Sequence, residues 1–311
     1  MAKLLKNPVA YVVIAVLLWS TGGMFIKLAT NLDAYQVTFF RSLLAAITVL
    51  IITRKNGLRI NLFGIMASCI YAVLLFLFVW ATKHGTAANA IFLQYTAPIY
   101  ILVLAPFIIG EKFHWRDLVT VICCIGGMSL FFVGKLDTSA YMANIAALGS
   151  GIFLGLYIML LKHPAFERQE TSNRRQVPKS DPNPSHVTRN VSPIATVVYG
   201  NLLLALVTLP SGIAALPTIT WRDFGAVAFL GIVQIGIAYI LFIKGVTGGT
   251  RPLDASIIGF IEPLLNPVWV FLFVGEQPSN WALLGGAIII ATVVAHTLNQ
   301  YRGRDANLVS S

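Results

Sequence analysis

Residues 256–269 read SIIGFIEPLLNPVW, inside an apolar run, 257–274, long enough to cross a bilayer. The run nevertheless holds a carboxylate, Glu262, and two prolines, Pro263 and Pro267. A charge at mid-bilayer costs about 2.5–3.5 kcal/mol on insertion scales. Each proline removes a helix hydrogen bond and crowds an upstream carbonyl, here that of Gly259 for Pro263. Such backbone is tolerated at membrane depth only where it is buried in protein or lines a cavity. Gly259, Glu262, Asn266 and Trp269 are spaced 3, 4 and 3 apart, which puts them on one face of a helix. The stretch reads as a stripe along a polar pathway, or as a satisfied carboxylate that holds helices together.

Working outward, the whole chain has the same character. Of its 311 residues 57% are apolar and 11% charged, against about 25% charged in soluble domains. This is the composition of an all-α polytopic membrane protein. The net charge of +10 therefore reads first as topology, and nucleic acid is not an expected partner. Cys69, Cys123 and Cys124 lie in apolar segments without disulfide or metal-ligand spacing. Lys3 and Lys6 precede an apolar run with no small-x-small cleavage site after it, so the first segment reads as an uncleaved span.

Ten apolar segments can be marked, at 9–28, 34–53, 62–82, 87–108, 116–134, 142–161, 192–214, 223–243, 253–274 and 281–299. Most connections are short. The exception, 163–191, is rich in Pro, Ser, Asn, Arg and Glu and reads as an exposed, disordered linker. With the N-terminus inside, only Lys27, Lys83, Lys135 and Arg222 fall on the outer side and Arg41 within a span. The other 17 of the 22 lysines and arginines are cytoplasmic. That predicts both termini and the linker in the cytoplasm of a multi-pass cell-membrane protein.

The chain also repeats itself. Pro98 to Glu111 and Pro263 to Glu276 are each thirteen residues apart, and both stretches end in Gly-Glu. Phe63–Gly64 pairs with Phe224–Gly225, and Lys83 with Lys244, at an offset of 161. Segments 3–5 thus match 8–10. Two halves of five spans enter the membrane from opposite sides, as inverted-topology repeats do in secondary transporters. The predicted division is a first repeat over 1–140, the first helix of the second over 141–162, the linker 163–191, the rest of the second repeat over 192–300 and a tail over 301–311.

This organisation resembles the drug/metabolite transporter superfamily in its ten-helix, EamA-like branch. Leu18–Trp19–Ser20, Phe40–Arg41 and Glu262–Pro263 carry the likeness further, which covers nearly the whole chain outside the linker. Ala97 stands where Glu262 would pair in the first half, so any carboxylate role rests on one half. The resemblance implies a permease of small metabolites such as amino acids or amines, often an exporter, working by alternating access without ATP hydrolysis or a cofactor. Its expected partners are the substrate and the lipid bilayer, with a homodimer left open.

Glu262 leads the candidate substrate-binding or coupling residues, because at that depth it can balance a cationic group or carry a proton. Arg41 can bind a substrate carboxylate, pair with Glu262, or satisfy carbonyls between helices. Trp19 offers a surface for an apolar substrate body, and Tyr95 a hydroxyl beside Gln94 and Pro98. Tyr157, Gln234 and Tyr239 read as the large polar-tipped groups near the centre of their spans, each either a helix–helix hydrogen bond or a ligand contact. Asn266 completes the set. His296 reads as a packed neutral histidine, Glu111 and Glu276 as caps or gate contacts, and Trp115, Trp221, Trp281 and Tyr301 as interfacial anchors. Gly126–Gly127 and Gly285–Gly286 read as points of close helix approach. The alternatives are a membrane-embedded enzyme, against which stands the lack of HExxH, GxSxG and phosphate-loop motifs, and a non-transporting receptor or scaffold.

Overall fold

The computed structural model describes residues 7–53, 58, 60–131, 133, 140–166, 192–274 and 279–309. Among these every regular element is helical. In chain order they are α1 (Pro8–Trp19), α2 (Gly22–Leu28), α3 (Ala34–Thr53), α4 (Leu62–His84), α5 (Ala87–Gln94), α6 (Ala97–Ile108), α7 (Trp115–Leu130) and α8 (Tyr141–Leu160). After the stretch 167–191, outside the described residues, follow α9 (Pro193–Val207), α10 (Leu209–Ala215), α11 (Trp221–Phe229), a π-helical segment (Leu230–Ile237), α12 (Ala238–Thr247), α13 (Pro252–Gly259), α14 (Ile261–Val274) and α15 (Asn280–Val309).

Helix starts follow from short polar side chains. Asn7, Asn61 and Thr86 each accept a backbone N–H of the first turn of α1, α4 and α5. Thr220 and Asp223 close a capping box at α11. Hydroxyls also interrupt helices. Ser20 and Thr21 donate back to the carbonyls of Leu17 and Leu18, at 2.7 and 2.8 Å, where α1 gives way to α2. Thr96 does the same to Leu93 at 2.7 Å between α5 and α6, with Pro98 next. The third break falls at Phe260 between α13 and α14, one turn before Pro263, whose ring cannot follow an uninterrupted helix.

Seven helices, or helix pairs in line, are long and apolar enough to cross a membrane: Pro8–Leu28, Ala34–Thr53, Leu62–His84, Ala87–Ile108, Tyr141–Leu160, Trp221–Thr247 and Asn280–Asn299. The pair α9 and α10, bent by 65°, makes an eighth if it is one span. The two other expected segments are helical but do not reach that standard. The helix α7 has 16 residues, and the ninth segment is cut at Phe260 into pieces of 8 and 14. The chain is a multi-pass membrane protein.

The interior joins both ends of the sequence. The helix α1 packs on α12, α3 on the π segment and α9, α4 on α8 and α9, and α7 on α15. A side-chain carbon on Gly127 would lie 3.1 Å from the Gly285 carbonyl, so that pair does mark a close helix crossing. Gly126 faces open space instead. Two other expectations shift. The first residues of the expected linker are packed: Phe166 is buried and meets Phe63 edge-on, and His163 stacks on Phe63. The last helix runs on to Val309 through the expected tail.

Candidate functional site

Two of the helix breaks meet, and the third is tied to the helix that follows one of them. The Tyr95 hydroxyl, at the α5–α6 break, donates to Glu262 Oε2 at 2.8 Å, and its ring lies 5.5 Å from that of Phe260. The Trp269 indole Nε1 donates to Ser20 Oγ, at the α1–α2 break, at 3.0 Å. Glu262 is 5% exposed and Tyr95 4%. Gly259 makes this fit possible, because a Cβ there would meet the Tyr95 ring at 2.7 Å. Glu262 is thus held from the first half of the chain by a hydroxyl that the sequence placed on the same list. Gly259, expected on its helix face, sits across the Phe260 break. Asn266 lies in α14, with its side chain outside the described residues.

A second group of rings adjoins the first. Trp19 packs against Tyr239 and Phe242, with centroids 4.8 and 4.7 Å apart. Tyr239 in turn meets Tyr71 edge-on at 4.9 Å, and Tyr71 lies 5.0 Å from Tyr157. The Tyr157 hydroxyl pairs with Thr196 Oγ1 at 2.9 Å, a bond between α8 and α9. Asn201 Nδ2 donates to the Tyr71 hydroxyl at 3.2 Å. Tyr71 and Asn201 were missed in the sequence, although each is a polar tip deep in an apolar segment. Gly200 makes room for the Tyr71 ring, which a Cβ would meet at 2.6 Å.

Arg41 is fully buried in α3. Among the described residues its one hydrogen bond is long, Nη2 to the Leu75 carbonyl at 3.4 Å, and Nε and Nη1 have no partner. It does not pair with Glu262; among the described residues no carboxylate lies within ion-pair distance of it. Its electrostatic neighbours are the Tyr71 and Tyr239 phenols. Gln234 is buried in the π segment, with Oε1 unpartnered among the described residues and its amide against Gly22. The π register is a feature found often at functional sites. Its Gly231 lies against the Arg41 carbonyl, 2.6 Å from where a Cβ would stand.

A charged cluster lies apart from these rings. Arg251 Nη2 donates to Asp117 Oδ2 at 3.0 Å, and the guanidinium lies 3.6 Å from both Glu111 and Asp254. Burial alone would lower the Arg251 pKa, but the three carboxylates outweigh it and hold it above the usual arginine value. Burial, with Asp254 and Asp117 adding, pushes the Glu111 carboxyl above the usual glutamate value despite Arg251. Gly110, at φ 68°, makes the left-handed turn that delivers Glu111 there. His296 is buried, as a packed histidine is, and contacts Asp254 Oδ1 at 2.9 Å and Thr120 Oγ1 at 3.4 Å. A depression of about 840 Å³ opens beside the cluster, between α7 and α15. Lys27 reaches the Gly85 carbonyl at 2.7 Å, and Lys83 that of Ala29. Trp115, Trp221 and Trp281 are exposed at helix starts, as membrane-interface anchors would be. Glu276 lies outside the described residues.

With the geometry in place, comparison with known proteins is informative. The model of the EamA-like transporter family matches residues 7–133 and 184–297. The pseudopaline exporter CntI of Pseudomonas aeruginosa is 20% identical over 302 residues, covering 94% of this chain and 96% of its own. A probable terminal-alkyne amino-acid exporter of Streptantibioticus cattleyicolor is 22% identical, over 93% of each chain. The biotin transporter of Escherichia coli is 23% identical, over 92% of each. A solved crystal structure superposes with a TM-score of 0.70 at 16% identity, covering 94% of this chain and 97% of that one, and shows a shared fold. Matched over most of its length by the family model, and multi-helical and apolar as that family requires, this membrane protein belongs to the EamA-like transporter family.

Proposed function

We propose that this transporter is a secondary active exporter of small amine-bearing metabolites such as amino acids, working by alternating access. The observation that carries the reading is the Tyr95–Glu262 hydrogen bond where broken helices meet. Broken helices at mid-membrane are where transporters of inverted-repeat design bind substrate and coupling ion. An intramembrane carboxylate is a functional group by default, and this one is tied across the chain to Tyr95. The exporter names of two relatives support the direction, and the amino-acid exporter supports the substrate class.

In this reading Glu262 balances the substrate amine or carries a proton, Tyr95 fixes its orientation, and Trp19 and Tyr239 receive the apolar body. The ten-span, two-repeat organisation belongs to the same proposal. So do the cytoplasmic termini and the cytoplasmic linker.

The test is flux through purified protein in liposomes lacking ATP, with a panel of amino acids and amines. Changing Glu262→Gln keeps the shape and removes the charge. Flux of amine-bearing substrates should then fall at least about tenfold while the protein still inserts and folds. Unchanged flux would make Glu262 structural and return the site to Trp19, Tyr157, Gln234 and Tyr239.

A further inference from the structure

One guanidinium ties together the ends of three helices. Arg251 stands just before α13, and Asp254 lies in the first turn of that helix. Arg251 Nη2 donates to Asp117 Oδ2, in the first turn of α7, at 3.0 Å. Its Nε lies 3.6 Å from Glu111 Oε1, just after the end of α6, and its Nη1 3.6 Å from Asp254 Oδ1. Glu111 and Asp117 come from the first half of the chain, Arg251 and Asp254 from the second. Asp254 is also bonded to His296 of α15, at 2.9 Å. The line of parting therefore runs between Arg251 and the two carboxylates of the first half.

The seam beside this cluster is sealed. The helices α6 and α13 pack on each other there, and Ile101, Leu102, Ala105 and Leu253 are at most 6% exposed. The space left among these side chains, Arg251 and Glu111 is about 10 Å³, room for at most one water molecule. A solute the size of an amino acid cannot pass. Yet both helices are built to move as units. Each has a break at its far end, Tyr95–Thr96 for α6 and Phe260 for α13, beside which Tyr95 and Glu262 are bonded. At the near end each has a glycine of positive φ, Gly110 at 68° before Glu111 and Gly249 at 128° shortly before Arg251. Turns of this kind absorb the backbone change of a hinge.

We propose that Arg251, held by Asp117 and Glu111, is the latch of a gate between α6 and α13, closed in this structure and opened in each transport cycle. On the orientation proposed above, the gate faces the cytoplasm. Moving α13 away from α6 and α7 takes the cation from two partly buried carboxylates, which is costly and makes the closed form the resting one. Gating of one half against the other around a fixed site is what alternating access requires. This inference rests on the transport role proposed for the core and adds the barrier on one side of it.

The test reads how fast a cysteine in the seam reacts. In the purified full chain in detergent, carrying Cys69→Ala, Cys123→Ala and Cys124→Ala, Ala105→Cys is treated with a charged methanethiosulfonate. Ala105 is 4% exposed, so modification should be slow while the latch is intact. Adding Arg251→Gln should raise the rate at least about tenfold. Ala90→Cys is the control: it is equally buried, in α5 beyond the Tyr95–Thr96 break, and its rate should not rise.

Should Arg251→Gln fail to fold, Asp117→Asn removes the carboxylate of the 3.0 Å bond and must itself speed Ala105→Cys relative to Ala90→Cys. The inference is overturned if the Ala105→Cys rate stays the same, or if both cysteines speed up alike, which marks a general loosening. No substrate enters this assay. If Glu262→Gln leaves flux unchanged, the binding role of Glu262 fails, while the latch is still judged by the cysteine rates.

Discussion

At the scale of single residues, the Tyr95–Glu262 bond makes a sharper statement than either residue does alone. Tyr95→Phe leaves the ring in place and removes the one hydroxyl bonded to Glu262. It is expected to reduce flux by roughly tenfold, the loss of one charge-assisted hydrogen bond, in the same liposome assay. Tyr157→Phe is the contrast. Its hydroxyl bridges to Thr196 between α8 and α9, and such bonds in membrane bundles average about 0.6 kcal/mol. It should lower thermal stability slightly and leave flux near wild type; a large loss of flux would move Tyr157 into the site. Glu262, Arg41, Trp19 and Tyr95 were legible because a charge or ring tip stands out in an apolar run. Tyr71 and Asn201 were not, although Tyr71 lies against Tyr239 and Tyr157. Nothing in their own segments shows which helix face turns inward; that is settled only when α9 packs on α4.

At the scale of elements, the molecule is organised by interruptions. The Phe260 break was half visible, since Pro263 announces a disturbed turn but not which residue leaves the helix. The breaks at Ser20–Thr21 and Tyr95–Thr96 depend on hydroxyls that donate back to carbonyls, and the same residues occur elsewhere in unbroken helices. The π segment leaves no mark in composition. Outside the bundle centre, Arg251 ties α13 to α7 and to the Glu111 turn. Arg251→Gln removes the cation shared by Asp117, Asp254 and Glu111, and should cost on the order of 3 kcal/mol, read as a lowered melting temperature in detergent. Glu111→Gln should do the opposite at neutral pH. A carboxyl whose folded pKa is raised is penalised when ionised, so its favourable contribution is present below the unfolded value of 4.5 and lost as pH rises through the folded value. The variant should therefore melt above wild type at pH 7, and the gap should close as pH falls past 4.5. A gap that widens on acidification would contradict the assignment.

At the scale of the whole molecule, composition and hydropathy sufficed for a polytopic helical membrane protein, and the paired Pro…Gly-Glu segments led to the family that the comparison then identified. Span number was less legible. Hydropathy cannot see that the ninth segment is cut at Phe260 or that α9 and α10 bend by 65°. The charge distribution predicts that reporters fused at residue 175 and at the C-terminus face the cytoplasm and one at residue 137 the outside; an outward-facing 175 would reverse the orientation. The central claim is that the buried meeting point of the broken helices binds and moves a small solute without ATP. Counterflow of radiolabelled L-phenylalanine in ATP-free proteoliposomes, comparing wild type with Glu262→Gln, measures it most directly. The account predicts accumulation driven only by unlabelled phenylalanine inside, lost in Glu262→Gln. Counterflow that is equal in the two proteins, or absent from the wild type, would contradict it.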